Sequence, residues 1–249
     1  MKAQEQYPLP PEEQKALVNA TILSELLWLA VFWAGATVLH GLSTGDWMGA
    51  LALAWMPDLL ASLRPHWVMF ALPLAMFAMA KGVQLWGQKT SPSFRAAKLK
   101  LNQGLNGELP RLRTAHLVLC MCLAGICEEL VFRYVLINYL LLLLSLFLPA
   151  TAAAAGAVVV SALIFWLVHF QYRNFWMGII TFTVGLILGA GYVLSGSLLA
   201  VMFAHTAYNI AVVMSDRFEM VRDPDFFGGK APVSFALDMT EKQTSSRKP

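Results

Sequence analysis

The chain has 249 residues, with 18 Lys and Arg against 15 Asp and Glu, a formal net charge of +3. Hydrophobic residues make up 58% of it and charged residues 13%, about half the share usual in a soluble domain, and the mean hydropathy is +0.60. Such a composition excludes a soluble globule, a disordered chain and a disulfide scaffold. It predicts an all-α, polytopic transmembrane helix bundle of about 6–8 membrane helices.

Residues 1–20 open with MKAQEQYPLPPEEQK, a polar, Pro-containing N-terminal segment without the short apolar core of a signal peptide. A crossing needs about 20 apolar residues at 1.5 Å rise each, and the first such stretch is 21–39. The stretch 47–62 is apolar but short and carries Pro57 and Asp58. It reads as a broken span, a re-entrant piece or an interfacial helix. The next full crossing is 67–86.

Residues 81–113 then collect seven basic residues (Lys81, Lys89, Arg95, Lys98, Lys100, Arg111, Arg113) against one acidic residue, Glu108. A basic connection between apolar spans marks the cytoplasmic face. Its place between spans argues against nucleic acid as a partner. Residues 21–113 therefore read as N-terminal membrane helices followed by a basic loop.

The remaining crossings fall at 114–147, 151–169, 175–194 and 196–214. The first is long for one crossing, so it forms one tilted or kinked helix or two helices. Four crossings after the basic loop place the tail, 215–249, on the cytoplasmic side. The N-terminus joins it there only if 47–62 does not cross. The tail holds six basic and six acidic residues and reads as a soluble, solvated end.

The segment 114–214, the expected catalytic core, carries only four formal charges: Glu128, Glu129, Arg133 and Arg173. Three of them sit together in LCMCLAGICEELVFRYVLINYLL. Ionisable groups at that depth cost several kcal/mol, roughly, and mark functional sites by default. Glu129 and Arg133 are i, i+4 in the order that favours a helical ion pair. Glu128 is turned about 100° away and stays free of that pair. A structural ion-pair cluster locking helices together is the plainer reading of this motif alone.

Two more motifs follow. Phe165 and His169 share a helix face one turn apart, as do His205 and Asn209. A single membrane histidine is often a helix–helix hydrogen-bonding group. Together, however, Glu128, His169, His205 and Asn209 come from three spans and supply a carboxylate base, an imidazole and two donors for an oxyanion, the minimum for hydrolysis. Cys120, Cys122 and Cys127 lack zinc-knuckle or redox spacing and read as packing residues, although Cys127 adjoins the acidic pair. Gly185 and Gly189 form GxxxG, a close-packing face.

EExxxR (Glu128, Glu129, Arg133), FxxxH (Phe165, His169) and HxxxN (His205, Asn209) occur in this order, 41 and 36 residues apart from Glu128 to His169 and from His169 to His205. Over about 114–212, including TFTVGLILGAGYVLSGSLLAVMFAHTAYN, the chain resembles the CPBP (Abi) intramembrane protease family. That family includes type II CAAX prenyl proteases and bacterial lysostaphin-resistance and bacteriocin-immunity-type proteins. The resemblance implies an intramembrane endopeptidase, sited at a bacterial inner membrane, that cuts a membrane-embedded or lipidated protein.

In that reading Glu128 and His169 activate water, and His205 and Asn209 stabilise the oxyanion. Glu129, Arg133 and Phe165 support the site. No cofactor is certain. A divalent metal such as zinc on Glu128, His169 and His205 is the variant, although HExxH is absent. A non-catalytic binding or immunity protein on the same scaffold is the alternative, and an intact motif set argues against it. A proton-relay transporter would show paired repeats, which are not visible. A rhomboid-type serine at Gly41-Leu-Ser43 would precede a long helix, and here a polar Thr-Gly-Asp loop follows.

Overall fold

The structure is a computed structural model of the chain and describes residues 8–102, 107–169 and 175–222. Arg173 and residues 223–249 of the tail lie outside the described residues. In chain order the helices are α1 (Pro11–Thr44), α2 (Trp47–Leu51), α3 (Met56–Ser62), α4 (Val68–Thr90), α5 (Pro92–Asn102), α6 (Thr114–Glu129), α7 (Asn138–Leu144), α8 (Ala150–Val168), α9 (Phe175–Ser195) and α10 (Leu198–Arg222). A π-helical segment, Leu130–Ile137, joins α6 to α7. Among the described residues there is no strand, and six helices are long and apolar enough to cross a membrane. The protein is an integral, multi-pass membrane protein.

Helix α1 begins well before the apolar stretch 21–39. Pro11 suits its first turn, and Glu12 and Glu13 complement the helix dipole there. The polar residues 11–20 are therefore part of the first helix. It ends at Gly45, whose φ of 77° is the left-handed stop that glycine adopts without strain.

The stretch 47–62 does not cross. Asp46 caps α2 by accepting from the Gly49 N–H at 2.8 Å. The chain then breaks at Leu53, whose φ is positive, before Pro57 opens α3. Trp55 and Leu59 are buried in the main core, and the Trp55 carbonyl accepts from the Tyr134 hydroxyl at 3.2 Å. The segment folds back onto the bundle, so six crossings return the chain to the side on which it started.

The long stretch 114–147 is one rod, Thr114–Leu144. It widens into π geometry immediately after the two glutamates, a device common at functional sites. Packing brings the other motif helices to this point. A Cβ on Gly125 would lie 2.9 Å from the Thr206 backbone nitrogen, so only glycine lets α6 approach α10 this closely. Gly185 and Gly189 place α9 against Ala162 and Val158 of α8, the contact that the GxxxG spacing predicts. Outward residues such as Leu23, Leu27, Phe70 and Leu74 are exposed apolar groups that suit lipid.

The basic side of the bundle is tied down by buried polar side chains. Gln14 donates to the Leu9 carbonyl at 2.6 Å, and its Oε1 receives the Arg113 N–H at 3.2 Å and lies 2.9 Å from His116 Nδ1. Arg217 donates to the carbonyls of Pro110 and Leu112 at 2.8 and 2.7 Å. α10 thus continues past 214 to Arg222, where it clamps the end of the basic loop.

Candidate active site

Glu129 is fully buried and both of its oxygens are used. Oε2 accepts from Arg133 Nε at 2.9 Å, and Oε1 accepts from His205 Nδ1 at 2.9 Å. Arg133 also donates to Ser161 Oγ at 3.3 Å, and Ser161 in turn donates to the Phe132 carbonyl at 3.1 Å. The guanidinium sits 5.3 Å from the Phe165 ring centre, a cation–π distance. One carboxylate therefore connects α6, the π segment, α8 and α10. The spacing of Glu129 and Arg133 predicts their pair; it gives no sign that Glu129 also holds His205.

Glu128 is free of this network. Its Oε2 is buried without a hydrogen-bond partner. It lies 3.6 Å from His169 Nε2 and 4.0 Å from His205 Nε2. His169 is the residue after the last turn of α8. Its Nδ1 donates to the Phe165 carbonyl at 2.7 Å, and its ring lies 4.4 Å, centre to centre, from the Phe165 ring. A carbonyl only accepts, so Nδ1 carries the hydrogen and neutral His169 presents a lone pair at Nε2. The same argument applies to His205, whose Nδ1–H is committed to Glu129.

Glu128, Phe165, His169, His205 and Asn209 line one cavity of about 600 Å³. It extends toward the basic side of the bundle, where Lys81, Lys98 and Asp216 also line it. Lys98 is paired with Asp216 at 2.9 Å, and Lys81 with Glu219 at 2.8 Å. The four residues expected to carry chemistry are thus brought to one cavity wall. Glu129 and Arg133 pack behind them, and Phe165 lines the cavity beside His169.

A tetrahedral metal would hold its ligands about 3.3 Å apart. The Glu128–His169 and Glu128–His205 separations of 3.6 and 4.0 Å exceed that. Among the described residues no group of three His, Cys, Asp or Glu side chains is gathered closely enough to hold a metal ion. Glu128, His169 and His205 do not fit a metal in this arrangement.

One residue of the cavity escapes the motif reading. Glu25, on α1, is nearly fully buried, its Oε2 has no hydrogen-bond partner, and it lines the same cavity. It interacts electrostatically with Glu128 and His205 and with the Cys127 thiol. The signal was a lone carboxylate in the apolar span 21–39.

Residues 110–211 match the model of the Rce1-like type II CAAX prenyl endopeptidase family. The match bears out the resemblance carried by the three motifs. The Rce1-like segment runs from just before α6 into α10 and holds all seven motif residues. Glu25, Lys81 and Lys98 lie outside it, on helices that complete its cavity. Comparison with curated proteins and with solved structures finds no match.

Proposed function

We propose that the protein is an intramembrane endopeptidase that hydrolyses a peptide bond in a membrane-anchored or lipidated protein. The observation that carries this reading is the Glu128 carboxylate. Its Oε2 is buried and unpartnered at a cavity wall, with two histidine Nε2 atoms facing it. The match to an endopeptidase family supports the reaction class.

Glu128 takes a proton from the attacking water, with the His169 Nε2 lone pair orienting that water. The water oxygen adds to the scissile carbonyl. Charge then develops on the carbonyl oxygen, where the Asn209 amide donates. His205 donates from Nε2 only as an imidazolium, because its Nδ1–H is held by Glu129.

The basic residues of α5 and its flanks, together with six crossings, favour a cytoplasmic location for both ends of the bundle and for the cavity's basic side. A substrate anchored at that leaflet, a prenylated chain end among the choices, reaches the cavity from there. Quantitative membrane proteomics of cells carrying wild type or Glu128→Ala tests the function. The expected result is a membrane protein that accumulates uncleaved in the variant. Identical membrane proteomes would overturn the reading.

A further inference from the structure

The mechanism above commits its protonated groups elsewhere: Glu128 faces the attacking water, and the Nε2–H of the His205 imidazolium faces the oxyanion. Neutral His169 keeps its hydrogen on Nδ1, committed to the Phe165 carbonyl, and His205 spends Nδ1–H on Glu129 and Nε2–H on the oxyanion. Asn209 does not ionise, and Arg133 is held by Glu129, Ser161 and the Phe165 ring. An amide nitrogen expelled without a proton is a very poor leaving group, so a donor is required.

Glu25 is placed to be that donor. It and Glu128 each lie fourteen residues past the first residue of their helix, about 21 Å of rise. The two helices start on the same side of the membrane. Their register is pinned by Gln14 and His116, 102 residues apart in sequence. Glu25 and Cys127, which also interact, have the same separation. This sets Glu25 beside the Cys127–Glu128 corner, with its unpartnered Oε2 on the cavity. The two lysines lining that cavity, Lys81 and Lys98, are paired with Glu219 and Asp216, the nearby His205 is held by Glu129, and the Glu128 carboxylate lies close to Glu25. A carboxyl in such surroundings costs least as the neutral acid.

We propose that Glu25 is the general acid of the cleavage and delivers a proton to the leaving nitrogen. This rests on the endopeptidase reading. Water adds to the carbonyl carbon while Glu128 takes one of its protons. The C–N bond of the tetrahedral intermediate then breaks as the nitrogen takes the proton of Glu25. The products are a carboxylic acid and a free amine. Glu128 finally returns its proton to the Glu25 carboxylate, and the site is restored. The catalytic pair is thus split between the Rce1-like segment, which supplies the base, and the preceding helix α1, which supplies the acid.

The test compares two probes on purified full-length protein: a farnesylated CAAX-type peptide and the same peptide with an ester at the scissile position. An alkoxide leaves with far less need of a proton than an amide nitrogen. Glu25→Gln should lower peptide cleavage by about 10²-fold and leave ester cleavage within about threefold. The amide-to-ester ratio on one preparation does not depend on the folded fraction. Equal losses on both probes, or no loss on either, would overturn the proposal. Glu25→Asp keeps an acid and should keep a ratio near that of wild type; a ratio as low as that of Glu25→Gln would also overturn it. Glu128→Gln should fail on both probes, and activity in that variant would overturn the endopeptidase reading instead.

Discussion

Two cavities of similar volume, about 600 and 570 Å³, occupy opposite halves of the bundle. One holds Glu128, His169, His205 and Asn209. The other is lined by residues such as Tyr134, Asn138 and Tyr192. There the polar groups are spent on each other: Asn138 donates to the Tyr134 carbonyl at 2.6 Å and to the Tyr192 hydroxyl at 3.0 Å, and Tyr134 donates to the Trp55 carbonyl. One buried group there, the Trp55 indole N–H, is left without a partner, whereas in the first cavity two carboxylate oxygens, on Glu25 and Glu128, are buried without hydrogen-bond partners. Volume does not separate the two cavities. Unsatisfied carboxylates do, because a buried group left unpaired costs about 1–3 kcal/mol, more when it is ionisable, and calls for a reason.

The sharpest way to break this contrast is to strand a charge behind the Glu128 cavity. Glu129→Gln leaves Arg133 buried without its counterion and should cost about 3–5 kcal/mol of stability. The melting temperature of the detergent-solubilised protein reads that loss. A variant as stable as wild type would show that the Glu129 network does not hold the site.

In the proposed mechanism, Asn209→Ala removes a donor to charge that develops only in the transition state. It should lower kcat by about 10²–10³ with substrate binding little changed. If Asn209 were a packing residue, the damage would appear as lost stability with normal turnover per folded molecule.

Gly125→Ala pushes a methyl group onto the Thr206 backbone and should cost about 1–3 kcal/mol. It should also slow cleavage, because the same contact sets the distance from His205 to Glu128. Normal activity in that variant would uncouple the helix contact from the site.

Tyr192→Phe sharpens the comparison from the other cavity. It removes a satisfied hydrogen bond with Asn138, so stability should fall by about 0.5–1.5 kcal/mol. Peptide cleavage per folded molecule should stay unchanged. A strong loss of cleavage would mean that the second cavity takes part in the reaction.

Much of this was legible in the sequence because the membrane makes polar residues expensive. The spans followed from apolar runs, and the seven motif residues stood out against an uncharged background. The Glu129–Arg133 pair followed from i, i+4 spacing. The bond from Glu129 to His205 did not, because it joins residues 76 apart whose meeting depends on how α6 packs on α10. The folding back of 47–62 depends on the docking of Trp55 and Leu59, which composition does not encode. The single rod over 114–144 required a π segment, which has no simple hydrophobic period. Glu25 was visible as a lone acid, but its partner helix is set by the Gln14–His116 contact, a tertiary fact.

The central claim is that the two adjacent glutamates have separate tasks, Glu128 as the base and Glu129 as the support. Its most direct test measures peptide cleavage and thermal unfolding side by side for Glu128→Gln and Glu129→Gln. Glu128→Gln should unfold within about 1 kcal/mol of wild type and lose at least about 10² of its cleavage rate. Glu129→Gln should lose stability first. Equal loss of stability in both variants, or cleavage retained by folded Glu128→Gln protein, would contradict the account.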